Sequence, residues 1–317
     1  MKSAKTPLGL WQYVPESGMN LLDTDIRGES WRPLIVSIAI TGRCYKGCKF
    51  CYSSSTTDGD SSWTYSELVD FIEDLDRNGV FSVTLGGGEP ILWEDEKAQK
   101  TFYDLICELS ERVSLGLTFT TSGVPEIKYD CIPNIPTRLS CHQPDEASWV
   151  LETAKHLRAH IDKVGINFLL WRSKLTECRE AISKFLSSGF DDILLLTIQP
   201  AGFGIDFAHE SMDKRETVSF IKTLGMNSLR LTACQKPPRT FVSADMGCGA
   251  NDWFVSITEH KLVKSCSFAN TGNLLTQPTY EALLSATVNL PRLPCYRSFM
   301  KSKMAQFAGI ETRIPNL

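Results

Sequence analysis

No stretch of the sequence approaches the ~18 consecutive apolar residues that a membrane-spanning helix requires. The first residues also lack the basic, apolar and small-residue succession of a secretory signal. A cytosolic protein is expected, with no membrane among its partners. Neither charge sign is in excess, because 33 Lys and Arg face 37 Asp and Glu for a formal net charge of -4. No global field therefore draws a polyanion, and nucleic acid is not an expected partner. Small basic clusters such as Arg297, Lys301 and Lys303 read as a solvated face. Internal repeats and low-complexity tracts are missing as well. What is present is a 42% hydrophobic content, ample for a buried core in 317 residues, and eleven cysteines. Cysteines in a reducing compartment seldom form a disulfide framework, so metal or redox chemistry becomes the expectation.

Along the chain, residues 1–33 mix Trp11, Trp31, prolines and charges without clear periodicity and predict an arm that packs on the rest. The apolar run from Leu34 to Thr41 predicts a strand buried on both faces. From Ser61 to Asn78 a helix is expected, with Ser62 as its cap and Leu68, Phe71, Ile72 and Leu75 on its inner face. Strands then alternate with helices: FSVTLGGGEP, a helix over 102–109, a strand over 113–120, and another at Thr137 to Cys141. A helix over 148–159, the strand VGINFLLW, a helix over 175–185 and the strand DDILLLTIQP follow. A complete eight-unit barrel takes ~250 residues, so the roughly 165 residues from Leu34 to Pro200 predict an α/β fold, a six-unit partial (β/α) barrel of the TIM type. Beyond it a helix near Glu216 to Leu224 and a hairpin, WFVSIT then KLVKSC turning at Glu259 and His260, predict a small α+β region. The expected division is an arm over 1–33, a barrel over 34–205 and a C-terminal domain over 206–317.

Two motifs carry chemistry. Cys44, Cys48 and Cys51 are spaced C-x3-C-x2-C, three thiolates for three corners of an iron-sulfur cube, which leaves a fourth iron for an outside molecule. A structural zinc site would instead call for paired knuckles and four nearby ligands. In a barrel these cysteines occupy the loop after the first strand, and Gly86, Gly87, Gly88, Glu89 and Pro90 occupy the loop after the second. Glycines let a ligand approach the backbone, and Glu89 offers a carboxylate to an ammonium group, so an amino-acid-like zwitterion is the expected ligand. No Lys-Ser/Thr pair follows, which separates the run from a phosphate loop.

CYKGCKFC followed by GGGEP resembles the radical S-adenosylmethionine superfamily. The resemblance covers Leu34 to about Pro200. It implies a 4Fe-4S cluster, S-adenosylmethionine chelated to its open iron, and an electron donor such as flavodoxin or ferredoxin. The cofactor's chemistry is reductive cleavage to a 5'-deoxyadenosyl radical, which abstracts a hydrogen atom from substrate. By the same resemblance Phe50 flanks the adenine, and Ser140, Asn167 and Arg172 are candidates to touch the cofactor, with His142 sharing the face of Ser140. Each of these has an ordinary packing or solvent-facing alternative.

A second cysteine set, Cys234, Cys248, Cys266 and Cys295, resembles the auxiliary-cluster extensions of this superfamily, four cysteines fitting the shorter twitch type with one further 4Fe-4S cluster. The glycine usual five residues before the second cysteine is Lys261 here. Two readings stand: all four are ligands, or Cys234 donates a hydrogen atom to a substrate radical. Cys107, Cys131 and Cys178 read as buried thiols, and Cys141, at a strand end, as a possible catalytic one. The expected function is a radical oxidoreductase or maturase that oxidises, crosslinks or epimerises a peptide or protein. A small-molecule oxidoreductase and a non-enzymatic iron-sulfur carrier are the alternatives, and a carrier has no use for the glycine loop. Only 43 residues precede Cys44, too few for a fused peptide-recognition module, which a separate chain would then supply.

Overall fold

The first residues form strands where an arm is expected: β1 (Lys2–Thr6), β2 (Gly9–Val14) and β3 (Met19–Asp23) make an antiparallel meander. Its anchor is Trp11, 3% exposed, which meets Phe81 and Trp253 edge-on at 5.3 and 5.7 Å. Tyr13 stacks on Phe81 at 5.6 Å. Phe81, Leu34 and Trp253 each lie just before a parallel strand, so the meander closes the end of the barrel where the strands begin. Ala4 and Trp31 pack in the same cluster. The computed structural model describes residues 1–7, 9–15, 19–23, 25, 28, 30–124, 127–224, 230–231 and 249–291.

The alternation read from the sequence is present. In chain order come β4 (Ile35–Thr41), α1 (Tyr65–Arg77) and β5 (Ser82–Gly87). A minimal hairpin of β6 (Glu94–Asp95) and β7 (Lys100–Thr101) leads into α2 (Phe102–Arg112). Then follow β8 (Gly116–Thr121), β9 (Thr137–Cys141), α3 (Ala147–Arg158), β10 (Val164–Leu170), α4 (Leu175–Ser187) and β11 (Ile193–Thr197). Helix α1 starts two residues later than Ser62 implies. Thr64 caps it, in a reciprocal capping box with Glu67, while the Ser62 N–H donates to the Glu259 carbonyl. Strand β8 also starts late, at Gly116, because the Ser114 N–H and hydroxyl are held by the Asp76 carboxylate. All seven positions of β10 are buried, as befits a parallel strand covered on both faces.

After β11 the chain makes a 3-10 helix (Gly202–Glu210), α5 (Lys214–Thr223) and β12 (Arg230–Leu231), then β13 (Phe254–Ile257), β14 (Leu262–Lys264), β15 (Asn273–Leu274) and α6 (Tyr280–Thr287). The hairpin β13–β14 is the one expected, with Ser256 opposite Lys264. Its place in the sheet is new: β13 runs parallel to β4, with Phe254 to Ile257 paired to Ile35 to Ile38. The sheet order is therefore β12-β11-β10-β9-β8-β5-β4-β13-β14-β15, parallel from β12 to β13. One hydrophobic core extends from Val36 through the barrel to Leu283 and Leu290. Among the described residues no helix is long and apolar enough to cross a membrane.

Candidate functional site

Beyond Thr41 the chain turns back on itself. The Gly42 N–H donates to the Asp60 carbonyl and the Cys44 N–H to the Thr56 carbonyl, both at 2.8 Å, while the Cys51 N–H reaches the Cys48 carbonyl at 3.2 Å. The glycine loop is tied to this one: the Gly88 N–H donates to the Thr41 carbonyl at 2.7 Å and the Glu89 N–H to the Arg43 carbonyl at 2.8 Å. Two loops far apart in sequence are thus one hydrogen-bonded unit.

The three glycines differ. A Cβ on Gly86 would meet nothing within 4 Å, so the missing side chain leaves open space over the cavity. On Gly87, whose φ is +118°, it would lie 2.4 Å from the Thr41 carbonyl oxygen. On Gly88 it would lie 2.3 Å from the Arg43 carbonyl oxygen. Glu89, expected to offer its carboxylate to an ammonium group, has three partners within the protein. The side chain is fully buried, and it accepts from the Thr121 hydroxyl at 2.6 Å and from the Ser122 N–H and hydroxyl at 2.7 and 2.6 Å. Burial pushes its carboxyl up, partly offset by those donors. Through these bonds Glu89 ties the loop after β5 to the end of β8.

A cavity of about 530 Å³ opens at the strand ends, and Cys44, Cys48, Cys51, Phe50, Gly86, Gly87, Gly88, Ser140, His142 and Asn167 all border it. Burial, and then the neighbouring Cys51 thiol, push Cys48 up to about 12. Burial also raises Cys44, on which Glu89 and Cys51 act in the same direction. Thiols raised in this way, as Cys44 and Cys48 are, hold their protons until a cationic centre displaces them. Among the described residues no three His, Cys, Asp or Glu side chains converge as a single-ion site requires. A cube asks for something else, one thiolate on each of three separate irons.

Around the thiols, the Cys48 Sγ lies 3.8 Å from His142 Nδ1, and Cys51 Sγ 3.2 Å from the Ser53 hydroxyl. Burial and the Lys46 ammonium lower the His142 imidazole, which is neutral at pH 7. Phe50 packs edge-on against Trp171 at 4.9 Å and Phe207 at 6.2 Å. Asn167 accepts from Arg138 Nε at 2.6 Å, which fixes its amide.

Other expected site residues lie elsewhere. Arg172 sits outside the cavity, paired with Glu216 at 2.7 Å and donating to the His209 carbonyl. Cys141 belongs to the core face of β9, its Sγ 3.2 Å from the Gln143 carbonyl oxygen. Strand alternation turns it away from the face of Ser140 and His142. Cys266 is 8% exposed, just after β14, whereas Cys234, Cys248 and Cys295 lie outside the described residues. Of the three thiols expected to be buried, Cys178 is, but Cys107 and Cys131 are exposed, because Cys107 falls off the Phe102, Leu105, Ile106 and Leu109 stripe of α2. Lys261 takes the position of the usual glycine with a glycine's backbone, φ +61°, its ammonium 2.6 Å from Glu67 and over the Trp63 ring at 5.2 Å.

Sequence reading missed part of the wall. Thr197 and Gln199, at the end of β11, are reachable by the strand-end rule that found Ser140 and Asn167. Ser256, Glu259, Lys264, Ser267 and Asn270 also border the cavity, and only the pairing of β13 with β4 brings them there.

A parallel partial barrel with three thiols on its first loop and an open glycine on its second defines the class of iron-sulfur enzymes that bind an amino-acid-like cofactor at the strand ends. Residues 38–131 match the family model of the radical SAM superfamily, whose members use a 4Fe-4S cluster and S-adenosylmethionine. The mycofactocin maturase MftC of Mycobacterium tuberculosis is 30% identical over 108 residues, 34% of this chain and 25% of that protein, so the match spans about a quarter of the relative. A probable GTP 3',8-cyclase of Sulfurisphaera tokodaii is 22% identical over 65% of this chain and 69% of its own length. The fold is similar to that of SuiB of Streptococcus suis bound to the precursor peptide SuiA, with a TM-score of 0.65 and 15% identity over 84% of this chain and 66% of that one.

Proposed function

We propose that the protein is a radical SAM maturase that modifies a peptide or protein side chain or α-carbon by oxidation, crosslinking or epimerisation. The observation that carries the reading is that Cys44, Cys48, Cys51 and the open face of Gly86 border one cavity large enough for cofactor and substrate together. The three thiolates hold the cluster, and the backbone at Gly86 receives the methionine portion of S-adenosylmethionine. When bound, cluster and S-adenosylmethionine supply a 5'-deoxyadenosyl radical. The chain's own task is aim and shielding. Phe50, backed by Trp171 and Phe207, walls the adenine side, and Leu169, Leu196, Ile198 and Ile257 keep the cavity apolar where a radical must not meet water. Ser140 and Asn167 present a hydroxyl and a fixed amide to the cofactor's polar edge.

Cys266, with Cys234, Cys248 and Cys295, holds one auxiliary cluster in this proposal, or leaves Cys234 as a hydrogen-atom donor. An external electron donor of the flavodoxin or ferredoxin kind reduces the first cluster. The likeness of the short matched segment to a mycofactocin maturase favours the maturase reading. The likeness to a probable GTP cyclase keeps a small-molecule substrate as the second.

Anaerobic reconstitution with reductant and S-adenosylmethionine is expected to yield 5'-deoxyadenosine, and none would overturn the enzyme assignment. A variant with Cys44, Cys48 and Cys51 all changed to alanine should make none, yet keep about four irons per chain at the auxiliary site, one cube's content. Iron near zero in that variant would remove the second cluster.

A further inference from the structure

Two lysines border the cavity, and among the described residues only one has an ion-pair partner within 4.0 Å, although Cys266 and Glu259 act on the other from farther off. Lys46 pairs with Glu146 at 2.9 Å. Lys264, half-buried on β14, takes part in none of the ion pairs among the described residues, and its ammonium makes one contact, 3.4 Å to the Ser267 carbonyl oxygen. An ammonium has three N–H donors, and one partly withdrawn from water with a single neutral acceptor is left undersatisfied. Beside it stand two hydroxyls. Ser256 is the residue opposite Lys264 across the hairpin, and its Oγ accepts from the Ser267 Oγ at 3.1 Å. Both serines border the same cavity, as does Asn270.

We propose that Lys264, with the hydroxyls of Ser256 and Ser267, is a subsite that holds a carboxylate of the substrate. The assignment rests on the peptide reading and narrows it to peptides that present a carboxylate to the cavity. The charge count separates this ligand from a nucleotide. Glu259 borders the cavity too and brings a negative charge of its own. One carboxylate can take the ammonium's free N–H donors with hydroxyl donors to complete its own shell, whereas a triphosphate would set several negative charges against one lysine on which Glu259 already acts. The carboxylate comes from a C-terminus or from an Asp or Glu side chain, and the position of Lys264 serves either.

The test uses the reconstituted enzyme with S-adenosylmethionine and pooled N-acetylated pentapeptides. One pool has free C-termini and the other C-terminal amides, and each is made with Asp and Glu or with Asn and Gln in their place. GTP is the nucleotide probe, and ultrafiltration with mass spectrometry reads retention. Wild type is expected to retain carboxylate-bearing peptides at least about tenfold over the pool that has none, the effect of one charge-assisted hydrogen bond. The arm that carries the preference tells a C-terminus from a side chain. Lys264→Met and Lys264→Gln should lose the preference and Lys264→Arg keep it, all with wild-type iron content and absorbance. An unchanged preference in the Met and Gln variants overturns the proposal, as does lysine-dependent retention of GTP. Loss of cluster absorbance in both variants overturns it too, because Lys264 then serves the cluster. Retention of peptides without acid preference overturns the subsite and leaves the peptide reading intact, while retention of neither pool overturns both.

Discussion

Gly86, Gly87 and Gly88 look alike in sequence, yet each lacks a side chain for its own reason, and substitution should separate them. Gly86→Ala adds a methyl group to empty space, so the protein should melt at nearly the wild-type temperature but lose S-adenosylmethionine binding by tenfold or more at that wall. Gly87→Ala puts an L-residue at φ +118° and a Cβ against the Thr41 carbonyl, which costs about 1–3 kcal/mol and should lower the melting temperature before binding is considered. Equal melting of the two variants would refute the distinction. The thiol spacing and the glycine run were legible because each motif is local. The partners of Glu89 were not, because Thr121 and Ser122 arrive from the end of β8, three strands further along the chain. Cys141 shows the opposite lesson. Once β9 is placed and Ser140 is known to face the cavity, alternation alone assigns Cys141 to the core.

At the scale of elements, the hairpin β13–β14 docks on the start of α1 through Lys261. A non-glycine residue at φ +61° stores backbone strain, about 1–2 kcal/mol for an L-residue, and the contacts to Glu67 and Trp63 offset it. Lys261→Ala keeps the strain and loses the contacts, whereas Lys261→Gly loses both, so the alanine variant should be the less stable of the two in urea. Burial alone would raise the Glu67 carboxyl, but the Lys261 ammonium and Thr64 outweigh it and hold it below the usual carboxylate range. A carboxyl lowered on folding stabilises the fold above its unfolded pKa of about 4.3 and loses that contribution as pH falls through the lower folded value. The stability gap between wild type and Lys261→Ala should therefore shrink below about pH 4.3 and stay constant from pH 6 to 8. A gap independent of pH would show that the ion pair contributes nothing. The six parallel strands from β4 to β11 were readable from period and punctuation, although a 3-10 turn (Tyr129–Cys131) stands in place of a helix between β8 and β9. The meander β1–β3 was not readable, because Trp11 and Tyr13 dock it on the barrel end with little periodic signal.

For the whole molecule, the decisive contact is the pairing of β13 with β4, which no local pattern announces. It makes the C-terminal hairpin a continuation of the barrel sheet, with Val255 and Ile257 fully buried in the common core. Val255→Ala should cost about 1–3 kcal/mol and shift a single unfolding transition, seen alike by tryptophan fluorescence and far-ultraviolet circular dichroism. A separate early transition confined to the C-terminal region would show that the hairpin folds on its own.

Because β13 lies between β4 and β14, the loop bearing the thiols and the wall bearing Lys264 are fixed to strands of one sheet two inter-strand spacings apart, about 9.6 Å at the backbone. Such a frame lets the wall around Lys264 change without moving the loop that bears the three thiols. Substitutions along β14 should therefore alter what the cavity admits while the thiol loop keeps its place beside the glycine loop.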